Sequence, residues 1–375
     1  MTFLHYFTSF VVALVVAFGV MPLVIRLAHR VGAVDRPGER RIHSGSIPRL
    51  GGIGIFVAFL AGLGASTLIA GRGGTIGGPA DYNWPGVALG MTVIFLAGVY
   101  DDLRGLRPSI KLAFQTAAAA IAVLSGFRID VISSPFGGSM DLGSLGVWVT
   151  FGWILLVINA MNLIDGLDGL AGGLALIVTT TVATVALTMD QFGVVASAMA
   201  LAGAVIGFLR YNFAPAQIFM GDGGSQFLGY VLAVISIRGS QKGATAVAIL
   251  VPLLSFGLPI MDVFMAVGRR AWRNGSDAEG KGPLAVLRRV SRADREHLHH
   301  NLLDLGLSPR RAALALYVIA SAFALSGYLF LARNSLYLAV LTLVLSLGSV
   351  AVIKIVVAGA RGRVRTGQPG GQHPI

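Results

Sequence analysis

Apolar residues in this chain gather in long runs separated by short polar breaks. Runs near the length of a spanning helix, roughly 17–25 residues, lie near 3–25, 51–70, 86–100, 110–127, 145–163, 170–188, 192–209, 225–240, 244–267, 312–332 and 336–358. The pattern predicts an all-α, polytopic integral membrane protein of about eleven transmembrane helices, one domain over residues 1–375. The runs at 86–100 and 225–240 are short and read as helices that extend or tilt. The first run has no basic stretch before it and no small-residue cleavage site before Arg26, so it reads as a retained helix rather than a signal peptide.

Composition agrees. Hydrophobic residues make up 55% and charged residues 12%, with a mean hydropathy of +0.77. A soluble domain carries about a quarter charged residues. The absence of cysteine excludes disulfides and thiolate metal sites.

Charge orients the bundle. If the N-terminus faces outside, the inside segments are 26–50, 101–109, 164–169, 210–224, 268–311 and a flexible tail, 359–375. These and their flanks hold every Lys and Arg except Arg72, Arg128, Arg238, Lys242, Arg333 and Lys354. The positive-inside rule therefore predicts an N-out, C-in protein with a basic cytoplasmic rim. It accounts for the net charge of +12 without nucleic acid. Such a rim suits anionic lipids or phosphorylated substrates.

Four polar clusters interrupt this plan, all on the predicted inner side. Asp101 and Asp102 close the third run, and Asn159, Asn162, Asp165 and Asp168 close the fifth. Phe219–Ser225 precedes the eighth, and His297, His299 and His300 follow the ninth. Each has an ordinary explanation taken alone: a solvated helix end, a Gly–Asp turn, a helix cap, a surface loop. Their convergence on one face points to a site. Asn162 and Asp165, and Asp165 and Asp168, stand at i,i+3 and can meet on a helix end that unwinds near Gly166. The small residues Gly221–Ser225 open a helix whose N–H groups would suit phosphate. Carboxylate and amide oxygens favour Mg²⁺, with Mn²⁺ as the other hard cation, held by one or two carboxylates plus substrate phosphates. Metal-assisted phosphoryl transfer is the chemistry this pattern predicts.

The residues resemble the polyprenyl-phosphate N-acetylhexosamine-1-phosphate transferase superfamily, glycosyltransferase family 4. The segments that carry the resemblance are DRPGERRIHSGSIPRLGG (35–52), YDDLRGLRPSIKL (100–112), NAMNLIDGLDGLAGG (159–173), FMGDGGSQFLG (219–229) and DREHLHHNLL (294–303). The resemblance implies an eleven-helix fold, often dimeric, in the bacterial cytoplasmic membrane. It implies transfer of a sugar 1-phosphate from a UDP-N-acetylhexosamine to a polyprenyl phosphate, with release of UMP. By motif, Asp101 and Asp102 become the aspartate pair, one of them activating the lipid phosphate. Asp222 becomes the leading Mg²⁺ ligand with Asn162 beside it, and Asp165 and Asp168 shape the nucleotide and metal site. Phe219 resembles an aromatic that stacks on uracil, and Lys111 the basic residue after the aspartate pair. His297, His299 and His300 match a His-x-His-His motif near the diphosphate or sugar, with Arg292 and Arg295 as further candidates for gripping the substrate.

The His-Leu-His-His pattern is similar to the branch that transfers GlcNAc 1-phosphate to undecaprenyl phosphate at the start of O-antigen, common-antigen, teichoic acid or arabinogalactan assembly. The alternative is the phospho-MurNAc-pentapeptide branch, which reads Pro-x-His-His-His there. Segment 275–290 looks longer than usual where the sugar is expected. A remote alternative is an ion-coupled transporter, which places ionisable groups mid-membrane. Here no Asp or Glu falls mid-run, and Asp262, the nearest, is followed by Arg269.

Overall fold

The computed structural model describes residues 2–35, 46–70, 83–133, 139–240 and 305–333, with shorter stretches at 256–257, 260–261, 302–303 and between 337 and 352. Nine long helices lie among them: α1 (Thr2–Val31), α2 (Gly51–Ala70), α3 (Trp84–Arg104), α4 (Pro108–Leu124), α5 (Leu145–Ile164), α6 (Leu170–Thr188), α7 (Phe192–Asn212), α8 (Gly221–Ser240) and α9 (Pro309–Arg333). Each coincides with a predicted apolar run. The run at 244–267 falls largely outside the described residues, and the run at 336–358 is described only in short helical stretches between 337 and 352.

The all-α expectation needs one small correction. Two short antiparallel pairs are present, β1 (Val34–Asp35) with β2 (Ile47–Pro48) and β3 (Val131–Ser133) with β4 (Ser139–Asp141). Such pairs satisfy backbone groups where the chain reverses at helix ends.

Seven of the described helices are long and apolar enough to cross a membrane: α1, α2, α3, α5, α6, α7 and α9. Helix α4 is shorter, at 17 residues, and α8 carries Asp222 and Arg238 near its ends. Large apolar side chains face outward, with Leu124 86% and Leu68 85% exposed. With its polar ends, this is the surface of a multi-pass membrane protein.

Helix α8 is the centre of the fold, buried from Gly223 to Arg238. It packs against α2, α3, α5 and α6. Glycines make this close approach feasible, as in membrane helix pairs generally. A Cβ on Gly52 would collide with the backbone of Gly223 and Gly224, one on Gly98 with that of Asp222 and Gly223, and one on Gly229 with Ile158. Farther along, Phe56 of α2 stacks on Phe95 of α3 with ring centroids 3.9 Å apart, and Phe227 of α8 meets Phe56 edge-on at 5.3 Å. The glycines and rings fix how the end of α3 meets the start of α8.

Candidate active site

The site forms where helix ends converge. Helix α3 ends at Arg104, and Gly105 takes φ +73 while its N–H donates to the Asp101 carbonyl at 2.8 Å. Leu106 N–H donates to Asp101 Oδ1. Pro108 then starts α4, a position where its missing N–H costs nothing. Only three residues separate the two helices, so Lys111 returns beside Asp101. Its Nζ lies 2.6 Å from Asp101 Oδ2 and 2.5 Å from Asp222 Oδ2. On the other side of Asp222, Asn162 Nδ2 donates to Asp222 Oδ1 at 3.0 Å and to Ser225 Oγ at 2.9 Å.

Asp102 points elsewhere. Its Oδ1 accepts from Asp222 N–H at 2.9 Å and its Oδ2 from Gly223 N–H at 3.0 Å. A carboxylate from α3 therefore caps the N-terminus of α8, where unpaired N–H groups and the helix dipole favour negative charge. This corrects the expectation that Gly221–Ser225 offers its N–H groups to phosphate: two of them are already bound. Gly221, at φ +73, makes the turn that brings them onto Asp102. Arg49 secures the same corner, with Nη2 donating to the Asp102 carbonyl at 3.0 Å and Nη1 3.8 Å from Asp35 Oδ1.

The motif at the end of α5 unwinds as expected. Helix α5 stops at Ile164 and Asp165 is its C-cap, at φ −77 and ψ 41. The i,i+3 contacts are replaced by longer-range ones. Asn162 meets Asp222 and Ser225 rather than Asp165, because α8 lies closer than the unwound turn. Asp168 Oδ2 accepts from Ala216 N–H at 2.9 Å, fastening the loop that leads to Phe219. Asn212 supports that loop by accepting from Gly169 N–H at 3.0 Å and donating to the Ile218 carbonyl at 2.8 Å. Half-buried Phe219 is held through its backbone: its N–H donates to the Pro48 carbonyl at 2.7 Å, and its carbonyl accepts from Gly51 N–H at 2.9 Å.

Electrostatics show what the site wants. Burial, and then the like charges of Asp222, Asp102 and Asp168, hold the Asp165 carboxyl well above its ordinary range. Lys111 balances Asp101 and Asp222, and Asp165 has no hydrogen-bond or ion-pair partner among the described residues. No closed cage of three carboxylate, imidazole or thiolate groups exists among the described residues. An under-compensated carboxylate that feels the charge of Asp222 fits a hard divalent cation that takes its other ligands from substrate phosphates.

Asp101, Asp102, Lys111, Asn162 and Asp222 are thus brought together. Asp165, Asp168 and Phe219 stand around them. His297, His299, His300, Arg292 and Arg295 lie outside the described residues. Two participants carried no assigned role in the sequence. Arg49 stands inside the 35–52 motif but is one Arg among several there. Ser225 reads as a helix-start residue, and its link to Asn162 spans 63 positions.

The profile described as glycosyl transferase family 4 matches residues 84–240, the stretch from α3 through α8 that contains this convergence. A Bacillus subtilis (strain 168) protein named "Probable undecaprenyl-phosphate N-acetylglucosaminyl 1-phosphate transferase" is 35% identical over 320 residues, 85% of this chain and 83% of that one. A Mycobacterium tuberculosis (strain CDC 1551 / Oshkosh) protein named decaprenyl-phosphate N-acetylglucosaminephosphotransferase is 35% identical over 315 residues, 78% of this chain and 74% of its own. An Escherichia coli (strain K12) protein named undecaprenyl-phosphate alpha-N-acetylglucosaminyl 1-phosphate transferase is 25% identical over 313 residues, covering 81% and 78%.

Proposed function

The chain belongs to glycosyl transferase family 4, and on that footing we propose that it transfers N-acetylglucosamine 1-phosphate from its UDP-sugar to undecaprenyl phosphate. UMP leaves, and the product is the first lipid-linked intermediate of a cell-envelope polysaccharide. The Bacillus, Mycobacterium and Escherichia relatives are named for this transfer to undecaprenyl or decaprenyl phosphate. The observation that carries the reading is Lys111 bridging Asp101 and Asp222 at converging helix ends. A greasy phosphate and a water-soluble nucleotide must meet at one plane, and helix ends supply it. The eleven apolar runs support a polytopic protein, its bacterial relatives support the cytoplasmic membrane, and the Lys and Arg distribution supports an N-out, C-in orientation with this plane on the cytoplasmic face.

In the reaction, an oxygen of the polyprenyl phosphate bonds to the sugar-bearing phosphorus and the bond to UMP breaks. Lys111 has three N–H donors and two are used on Asp101 and Asp222, so one remains to hold a phosphate oxygen. Both Asp101 oxygens are engaged, by Leu106 N–H and Lys111, and both Asp102 oxygens by Asp222 and Gly223 N–H. Each of these oxygens already accepts a hydrogen bond or ion pair that fixes its carboxylate in place, a positioning role that supports direct displacement over an aspartyl-phosphate route. Asp101 keeps Lys111 oriented, and Asp102 keeps Asp222 in place through α8. Asp222 and Asp165, with Asn162 beside them, would hold Mg²⁺ or Mn²⁺. Such a cation supplies Lewis-acid neutralisation of the diphosphate and of charge developing on UMP. Asp168 shapes the wall leading to Phe219, which offers its ring to uracil. His297, His299, His300, Arg292 and Arg295 complete the sugar-diphosphate side in this reading.

The test uses the purified full chain in detergent with undecaprenyl phosphate, Mg²⁺ and a panel of UDP-sugars, scoring UMP and lipid product. UDP-GlcNAc should be the preferred donor. Preference for UDP-MurNAc-pentapeptide would move the protein to the peptidoglycan branch. Ion-driven solute uptake without UMP release would make it a transporter.

A further inference from the structure

One helical turn inward from Lys111, Asp222 and Asn162, the same three helices carry a second polar layer. Gln115 follows Lys111 by four residues on α4, Gln226 follows Asp222 by four on α8, and Asn159 precedes Asn162 by three on α5. At 1.5 Å per residue the two layers are about 5–6 Å apart. Asn159 Nδ2 donates to Gln115 Oε1 at 2.9 Å, and Gln115 Nε2 donates to Gln226 Oε1 at 3.3 Å. Asn159 Nδ2 also donates to the Leu155 carbonyl, fixing its own rotamer on α5 at 2.8 Å. Gln115 and Gln226 are 4% and 2% exposed, so this pair lies in the packed interior, and Asn159 joins it from the exposed edge of α5.

Burying amides between membrane helices is unfavourable unless they are paired, and apolar side chains of the same size would fill the space equally well. Amides add direction. A hydrogen-bonded pair is satisfied at one relative rotation of its two helices, whereas Leu or Met packs over a range of them. The layer above depends on such a rotation. Lys111 reaches both Asp101 and Asp222, and Asn162 reaches Asp222 and Ser225, only while α4, α5 and α8 keep their present faces together.

We propose that Gln115, Gln226 and Asn159 form a positioning layer that sets the rotation of α4, α5 and α8 and so aims Lys111 and Asn162 at Asp222. The inference rests on the transferase reading and names residues for it that do not touch substrate. It separates orientation from stability, because the Trp153–Ser236 hydrogen bond (3.2 Å) joins α5 and α8 in the same buried interior but far from the site. Breaking that bond removes a buried polar contact between two of the three helices without disturbing the layer.

The experiment compares the full-length parent with Gln115→Met, Gln226→Met, the double variant and Ser236→Ala. Each is assayed for UMP release with UDP-GlcNAc, undecaprenyl phosphate and Mg²⁺, and for its thermal midpoint in detergent. Methionine keeps length and volume and removes only the amide. Each Gln single variant should lower kcat about tenfold with KM for UDP-GlcNAc within about twofold. The double should be no worse than the singles, because they break one shared chain. Ser236→Ala should lower the thermal midpoint and leave kcat at the parent value. Parent kcat in both Gln variants overturns the proposal. So does an equal kcat loss in Ser236→Ala, which would mean that any weakening of the α5–α8 contact has this effect. An inactive parent would instead overturn the transferase reading, and this inference with it.

Discussion

The carboxylate of Asp102 caps the helix that begins with Asp222. Its two oxygens accept from the N–H groups of Asp222 and Gly223 at 2.9 and 3.0 Å, joining positions 120 and 121 residues apart. The aspartate pair and the Gly-Asp-Gly-Gly-Ser motif are therefore one structural unit, and adjacent aspartates have different work. Asp101 faces Lys111, and Asp102 faces the backbone of α8.

That division predicts opposite responses to the same substitution. Asp102→Asn leaves one acceptor oxygen for two N–H groups and turns an amide N–H₂ toward the other. It should lower stability by about 0.5–2 kcal/mol, the range for a lost N-cap. Asp101→Asn should lower turnover with a smaller change in thermal midpoint, because an amide oxygen can still accept from Leu106 N–H while the charge opposite Lys111 is lost. Thermal unfolding in detergent at matched expression checks the order. If Asp101→Asn is the less stable of the two, the capping role is wrong.

Lys111 holds two carboxylates apart from each other's repulsion. Lys111→Met removes both ion pairs and the donor left for phosphate, and turnover should fall at least about a hundredfold, as for other lost electrostatic groups in active sites. Lys111→Arg should recover part of this. Its planar fork cannot place one compact charge between two oxygens that both lie within 2.6 Å of Nζ. Parent-like turnover in Lys111→Met would remove it from the reaction.

The sequence showed which residues matter more readily than whom they meet. Asp101, Asp102, Asn162, Asp165 and Asp222 stand out because each ends or opens an apolar run, where a carboxylate or amide is conspicuous. Their number along the chain also places the helices well, since a run of about twenty apolar residues allows few alternatives. Partners across the bundle have no local signature. Nothing near Asp102 announces that it caps a helix 120 residues later, and the expectation of free N–H groups at Gly221–Ser225 followed from that gap. Gln115 and Gln226 sit inside apolar runs, where one amide looks like a tolerated interruption until its partner on another helix is known. Asn162 and Asp165 stand at a spacing that allows contact, but the proximity of α8 decides where Asn162 turns.

Asp222 should respond to loss of charge alone. Asp222→Asn retains size and leaves the Asp102 cap intact, since that cap uses the Asp222 backbone. Turnover should fall at least about a hundredfold, in line with the weight of electrostatic terms, while the thermal midpoint stays near the parent's. Mn²⁺ binding to the detergent-solubilised protein, followed by paramagnetic resonance, should weaken in parallel. Near-normal turnover at saturating Mg²⁺ would take Asp222 out of the cation's shell.

Phe219 is fixed by backbone hydrogen bonds to Pro48 and Gly51, so its side chain can change without releasing the loop. If the ring stacks on uracil, Phe219→Ala should weaken UDP-GlcNAc binding by roughly 1–3 kcal/mol, the range for base–aromatic contacts. Phe219→Trp should retain most of the affinity. Calorimetric titration with UDP-GlcNAc, or with UMP, measures both. Equal affinities in parent, Ala and Trp variants would leave the ring as an anchor at the membrane boundary.

The geometry of the site depends on how closely α3 and α8 cross, and Gly98 sets that distance. A Cβ there would lie 2.6 Å from the Asp222 carbonyl oxygen and 2.6 Å from the Gly223 Cα. Both are backbone atoms, so no side-chain rotation relieves the contact and the start of α8 has to move. That movement would lengthen the Asp102 cap bonds and draw Asp222 away from Lys111 together. Gly98→Ala should therefore destabilise by about 1–3 kcal/mol, as overpacking does, and reduce UMP release at least about tenfold. Gly152→Ala is the matched control, because a Cβ on Gly152 of α5 meets nothing within 4 Å. It also gains helix propensity, worth up to about 1 kcal/mol, so its midpoint should hold or rise with activity unchanged. The two substitutions add the same methyl group to membrane helices, and only the first places it where α3 meets α8. Parent activity in Gly98→Ala would mean that the helices part without loss of the Asp101–Lys111–Asp222 arrangement, and that this arrangement does not depend on the crossing.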